Sequence, residues 1–226
     1  MKSHWLFQQG RPELILFFNG WGMDPRPLGH LACREYDVLE LHGYDARDLP
    51  ASALAAWPRY GRIHVAAWSL GVWMAGAVRA QLPSHARLAL AVNGTLRPVD
   101  GRYGIAPGIF QQTLESWSPE VRGQFYANCF DRPEEAERFS ACAPERSVED
   151  QQQELGWLWS GILRDPEPAA GFAAAFIGRR DLIFTARNQL RFWQDRCPHQ
   201  AQTCGHFPFF AWSSWEDVLR LTWTKP

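Results

Sequence analysis

Three residues of this chain could together transfer an acyl group: Ser69, Asp181 and His206. Serine catalysis needs a base to take the hydroxyl proton and a carboxylate to orient that base. It also needs two N–H donors to hold the oxyanion. Ser69 lies in Trp68-Ser69-Leu70-Gly71, between an apolar strand-like run and a nearly all-apolar helix-like run. A serine at such a corner can project its hydroxyl from a strained turn above a sheet. The backbone N–H of Leu70 would be one oxyanion donor, and that of Trp21, in Gly20-Trp21-Gly22, the other.

Each assignment has a rival. Ser69 could simply cap the following helix, and Asp181, in a Gly-x-x-Asp turn, could cap one as well. Asp165 and Asp195 are the other carboxylates to weigh. Among the seven histidines, His64 falls inside a strand-like run and His199 competes with His206. Only His206 follows a short strand with a glycine immediately before it. Cys197-Pro198-His199 and Cys204-Gly205-His206 also suggest a Cys2His2 zinc site, but their spacing does not match the common Cys-x2-4-Cys pattern. No metal and no cofactor are therefore expected.

These residues need elements to position them. Glu13–Phe18, Tyr36–Leu41, Arg62–Ala67, Arg87–Val92 and Phe172–Ile177 are apolar runs of strand length, the pattern of strands buried on both faces. Helical or loop segments separate them. Pro25 opens an expected helix through about Arg34, Ser52–Trp57 a short one, and Val72–Val78 continues from the serine turn. Gln202-Thr203-Cys204 reads as a brief last strand, and Asn188–Asp195 and Trp215–Leu221 as helices. Such alternation predicts an α/β fold, doubly wound on a mainly parallel sheet. Ligands on these sheets bind at the carboxyl ends of the strands, where Gly20–Gly22 and Ser69 both fall. Serine, then carboxylate, then histidine is also the chain order of the α/β-hydrolases.

Residues 107–168 differ in character, with helical patterns over Ile109–Trp117, Pro119–Phe130, Pro133–Phe139 and Val148–Leu163. This segment holds 12 acidic residues against five arginines, about −7 in charge. It is expected to be a helical cap inserted into a single domain spanning residues 1–226.

Composition narrows the function. A net charge of −1 leaves no basic excess for general nucleic-acid binding. No apolar run approaches the ~18 residues that span a bilayer, and the N-terminus lacks the apolar core of a signal peptide. Five cysteines at irregular spacing do not form a disulfide framework. A cytoplasmic protein with reduced thiols is expected. Twelve tryptophans suggest an aromatic-lined interior, with Trp21 and Trp68 placed to line the site.

Longer motifs carry a resemblance. Phe18-Asn19-Gly20-Trp21-Gly22-Met23-Asp24, Gly43–Leu49, Ala66-Ala67-Trp68-Ser69-Leu70-Gly71-Val72-Trp73 and Val92-Asn93-Gly94-Thr95 resemble the BioG family. So do Gly104–Pro107 with Phe110, Thr113 and Leu114, then Asp181–Phe184, Gln189, Trp193 and His206–Phe209. The likeness covers about residues 13–220. It implies an α/β-hydrolase-like esterase of biotin synthesis that hydrolyses the methyl ester of pimeloyl-acyl-carrier protein. Ser69 would be nucleophile, His206 base, Asp181 orienter, and Trp21 and Leu70 the oxyanion hole. Two positions depart from the broader superfamily: Ala67 replaces the first glycine of Gly-x-Ser-x-Gly, and Asn19 a histidine common before the oxyanion glycine.

A carrier-linked acyl chain implies an apolar tunnel beneath the cap and a local basic mouth. The arginines available for that mouth in the cap are Arg122, Arg132, Arg138, Arg146 and Arg164. A broader carboxylesterase or thioesterase of the same fold is the alternative, and a non-catalytic binding module a further one. Oligomeric state is not legible in the sequence.

Overall fold

The computed structural model describes residues 1–221. Its centre is a seven-stranded sheet of order β1-β3-β2-β4-β5-β6-β7. The strands are β1 (Lys2–Phe7), β2 (Glu13–Phe18), β3 (Asp37–His42), β4 (Arg62–Trp68), β5 (Ala86–Val92), β6 (Ala174–Gly178) and β7 (His199–Gln202). All neighbours pair in parallel except β1 and β3.

The apolar runs become central strands because both faces of the sheet are covered. Side chains alternate across a strand with period two. Leu14, Leu16 and Phe18 accordingly join one apolar cluster with Val65, Val72 and Trp73. Ile15 and Phe17 join the opposite cluster with Trp68, Phe207 and Trp215. Each such fully buried side chain contributes about 1.5–3 kcal/mol relative to exposure.

Among the described residues there are eight α-helices: α1 (Ala51–Ala56), α2 (Leu70–Ala77), α3 (Pro107–Glu115), α4 (Pro119–Asn128), α5 (Pro133–Ala141), α6 (Val148–Arg164), α7 (Ala186–Trp193) and α8 (Trp215–Arg220). Helices α3 to α6 lie between β5 and β6 in the chain. Ser118 and Ser147 accept the amides of Val121 and Asp150 at the starts of α4 and α6. These caps satisfy amides that have no partner within the helix.

Three segments differ from the expectation. The helix from Pro25 through Arg34 shrinks to a 3-10 turn at Arg26–Leu28. Beyond it, Ala32 donates its N–H to Ser213 and accepts that of Trp215, so tertiary pairing keeps the chain extended. The last strand is His199–Gln202 rather than residues 202–204. It is an edge strand whose ends are exposed, and it therefore carries no apolar run. β1 was not legible as a strand for the same reason: exposed and half-buried residues alternate along its first half.

Candidate active site

Ser69 sits where β4 turns into α2, at φ 57° and ψ −128°. A non-glycine residue held there costs about 1–3 kcal/mol, supplied by surrounding contacts. Its N–H donates to the Val92 carbonyl at 3.0 Å. Neighbouring backbone comes so close that a Cβ on Gly71 would lie 2.4 Å from the Phe18 oxygen, and one on Gly94 2.4 Å from the Ser69 oxygen. Gly71 and Gly94 are thus required by close approach. Ala67, which stands where the superfamily carries glycine, is fully buried in β4.

The serine side chain makes no helix-capping hydrogen bond. Instead Ser69 Oγ–H donates to His206 Nε2 at 2.9 Å, and His206 Nδ1–H donates to Asp181 Oδ2 at 2.8 Å. The three residues are 5%, 1% and 4% exposed, so water scarcely competes for these bonds. Asp181 also performs the local role considered for it: Oδ1 accepts the amides of Ile183 and Phe184 at 2.8 Å each. One oxygen therefore anchors the carboxylate to its own turn while the other faces the imidazole.

The rivals lie elsewhere. Asp165 pairs with Arg47 at 3.1 Å, and Asp195 is exposed. His64 bonds Glu13 at 2.7 Å near the start of β4, at the amino end of the strand. His199 is exposed on β7. With His206 held by Ser69 and Asp181, the Cys2His2 set is not assembled. Among the described residues no group of three or more His, Cys, Asp or Glu could hold a metal ion. Burial pushes the thiols of Cys33 and Cys197 up to about 11 and that of Cys204 to about 12.

Several residues that hold this arrangement together were not assigned such a role from sequence. Gln189 Nε2 donates to Asp181 Oδ2 at 3.0 Å and to the Phe184 carbonyl at 2.6 Å. Asn93, at φ 44°, donates Nδ2 to the carbonyls of Gly205 and His206 and accepts the Gly178 amide. It joins the ends of β5 and β6 to the histidine loop. Trp68 donates its indole N–H to the His206 carbonyl at 2.8 Å. Phe184 lies parallel to the imidazole, 5.9 Å away. The motif residues supplied the names, but nothing in their spacing specified these bonds.

The Gly20–Gly22 loop is equally determined. Gly20 N–H donates to Asn19 Oδ1 at 2.8 Å and Gly22 N–H to Glu154 Oε2 at 3.1 Å. Asn19 Nδ2 donates to the buried Glu40 carboxylate and to the Asp24 carbonyl. The side chain that replaces histidine at this position thus braces the loop. Among the described residues, the amides of Trp21 and Leu70 donate to no other protein atom. Both remain available to a ligand oxygen.

A cavity of about 60 Å3 adjoins Ser69, lined by Trp21, Leu70, Phe110, Phe125, Leu155 and Ile183 among others. That is several times the ~10–15 Å3 of such volume that one water molecule needs. Including its open mouth the unfilled space is about 430 Å3. It is a small, mostly apolar slot beside Ser69.

The segment's arginines are variously engaged. Arg146 is buried against Glu154 and Asp150, so its charge is consumed inside the protein. Arg122 donates to the Arg146 carbonyl at 3.2 Å. Arg132 pairs with Glu135, and Arg138 stacks over Phe210 at 4.2 Å. Arg164, in the last turn of α6, is exposed.

A serine elbow at the carboxyl edge of a mainly parallel sheet, with imidazole and carboxylate delivered by later loops, defines an α/β hydrolase. Solved esterases from Exiguobacterium antarcticum and Thermogutta terrifontis share the fold. Their TM-scores are 0.67 and 0.65 at 13% and 14% identity; 97% and 99% of this chain align with 91% and 94% of theirs.

The chain belongs to the BioG family: the family model described as pimeloyl-ACP methyl esterase BioG matches residues 1–218. The crystal structure of BioG from Haemophilus influenzae is similar at a TM-score of 0.89 and 31% identity, with 97% of this chain aligned to 100% of that one. An uncharacterized H. influenzae protein is 34% identical over 220 residues, 96% of this chain and 99% of that protein. A malonyl-[acyl-carrier protein] O-methyltransferase of Bacteroides fragilis is 33% identical over 187 residues, 83% of this chain. The match spans only 38% of that longer protein. No helix among the described residues is long and apolar enough to cross a membrane.

Proposed function

We propose that this chain is a serine esterase that hydrolyses the methyl ester of pimeloyl-acyl-carrier protein, releasing methanol and the free distal carboxylate. Helices α3 to α6 are read as the cap over its site, within a single domain. The observation that carries the chemistry is the buried chain of hydrogen bonds from Ser69 through His206 to Asp181. Beside it are the two unengaged amides of Trp21 and Leu70.

Ser69 Oγ attacks the ester carbonyl while His206 Nε2 takes its proton. Asp181 holds the imidazole in the tautomer that accepts at Nε2 and stabilises the imidazolium. The carbonyl oxygen becomes an oxyanion held by the amides of Trp21 and Leu70. His206 then protonates departing methanol, leaving an acyl group on Ser69. Water enters, His206 takes its proton, and collapse of the second tetrahedral intermediate frees the acid and returns the proton to Ser69 Oγ. No cofactor takes part.

Family membership supports the pimeloyl methyl ester as substrate. The Bacteroides relative, named for methylating an acyl group on a carrier protein, points to the same class of carrier-linked ester. The apolar slot suits the ester end and adjoining methylenes, and the carrier would remain outside its mouth. Engagement of Arg146 reduces the cap arginines open to the acidic carrier to Arg122, Arg132, Arg138 and Arg164. A cytoplasmic location fits a carrier-dependent reaction.

The test is mass spectrometry of pimeloyl-acyl-carrier-protein methyl ester after incubation with the enzyme. Methanol and an intact carrier thioester are expected. Release of the free carrier thiol would instead make it a thioesterase, and an unchanged substrate would sink the proposal.

A further inference from the structure

Two residues one turn apart on α6 grip the loop that carries the Trp21 amide. Glu154, 4% exposed, accepts the Gly22 amide on Oε2 at 3.1 Å and the Tyr44 amide on Oε1 at 2.8 Å. Arg146 neutralises it from within the same segment. Tyr44 in turn donates its hydroxyl to the Asn19 carbonyl at 2.7 Å. Gln151, fully buried, accepts the Trp21 indole N–H on its main-chain oxygen at 2.7 Å and donates Nε2 to the Gly22 carbonyl at 2.8 Å. The Trp21 ring is further enclosed by Trp117 and Phe125, with ring centres 4.5 and 5.1 Å away.

The loop's own bonds are fewer. Between Gly20 and Met23 its one internal backbone hydrogen bond is Met23 N–H to the Gly20 carbonyl, long at 3.4 Å. Gly22 holds φ +76°, a conformation that nothing in the side chain enforces. The direction of the Trp21 amide is therefore set jointly, by Asn19 from the sheet side and by Glu154 and Gln151 from the cap side. A preorganised donor loses most of its value when its direction is free, because the protein must then reorganise as charge develops.

We infer that Glu154 is a positioning residue for the oxyanion hole, holding the loop that carries the Trp21 amide through the Gly22 and Tyr44 amides. Glu154 and Gln151 thereby aim the amide at the developing oxyanion. The inference rests on the serine-esterase reading above.

Glu154→Gln preserves shape but turns one acceptor into a donor facing a backbone N–H or the Arg146 guanidinium. Hydrolysis of p-nitrophenyl acetate, a small neutral ester, should show kcat reduced by about 10- to 100-fold, a fraction of the effect of deleting an oxyanion donor. KM should change by less than about threefold. A trifluoromethyl ketone, whose hemiketal oxygen occupies the hole, should bind more weakly by the same factor as kcat/KM. Gln151→Met, which keeps the main-chain acceptor for Trp21, should show the same pattern at smaller size and covers the case in which Glu154→Gln does not fold. Unchanged kcat in the folded variants, or a fall in kcat with unchanged ketone affinity, overturns the inference. Failure of the underlying esterase reading is separately visible as turnover that survives Ser69→Ala.

Discussion

The sheet edge and the helical segment over it are built on different terms. At the edge, Ser69, Asp181 and His206 are all buried, and glycines admit backbone where no Cβ would fit. In the helical segment, α4 buries no residue fully, α3 only Phe110 and α5 only Phe139, whereas α6 buries six. Under the proposed esterase reading, the difference separates two tasks. Chemistry needs a rigid constellation, because a donor or base displaced by a fraction of an ångström loses most of its effect. Admission of an acyl chain needs walls that can yield, and weakly buried helices belong to the low-stability end of a fold. α6 is the exception, since it is both wall and brace.

The largest test of that contrast strikes the edge. Ser69→Ala should abolish nearly all ester turnover, leaving about 10³-fold residual catalysis over water from the oxyanion hole and binding. Substrate should still bind, as titrated by intrinsic tryptophan fluorescence. Near-normal turnover would remove the serine from the chemistry.

A change in the wall should act differently. Phe110→Ala enlarges the slot without touching the hydrogen-bonded chain, so kcat/KM for long acyl esters should fall by about tenfold, a few methylenes' worth of contact. Acetate esters, too short to reach it, should be nearly unaffected. An equal loss for both would mean that α3 helps to hold the constellation and that the division drawn here is wrong.

The smallest expected effect is none. A raised thiol pKa keeps the group protonated and unreactive until the pH approaches it. Cys33, Cys197 and Cys204, near 11 or 12, should therefore resist iodoacetamide at pH 8. Cys129 and Cys142 are shifted in the same direction, chiefly by burial. Esterase activity should survive that treatment and be lost to a fluorophosphonate. Loss on alkylation would place a cysteine at the site.

Legibility from sequence followed the range of the interaction. The central strands could be read because a two-face buried strand must be apolar throughout, as Leu14–Phe18 are. The elbow could be read because strand, serine and helix adjoin in the chain. β1 and β7 could not, since edge strands are specified by pairing rather than by hydrophobic runs. The expected helix after Pro25 failed for a related reason: residues 213–215 capture the backbone at Ala32.

At the site itself, sequence alone determined the residue types, their order and the turn that presents Ser69, because those are local properties. Which carboxylate and which imidazole meet it was decided by the fold, which joins Ser69 to His206 across 137 residues. The same is true of Glu154 and Gln151. On their own helix they are ordinary polar residues of an acidic segment. Only close approach to the Gly20–Gly22 loop, where buried amides must find acceptors, turns them into part of the site.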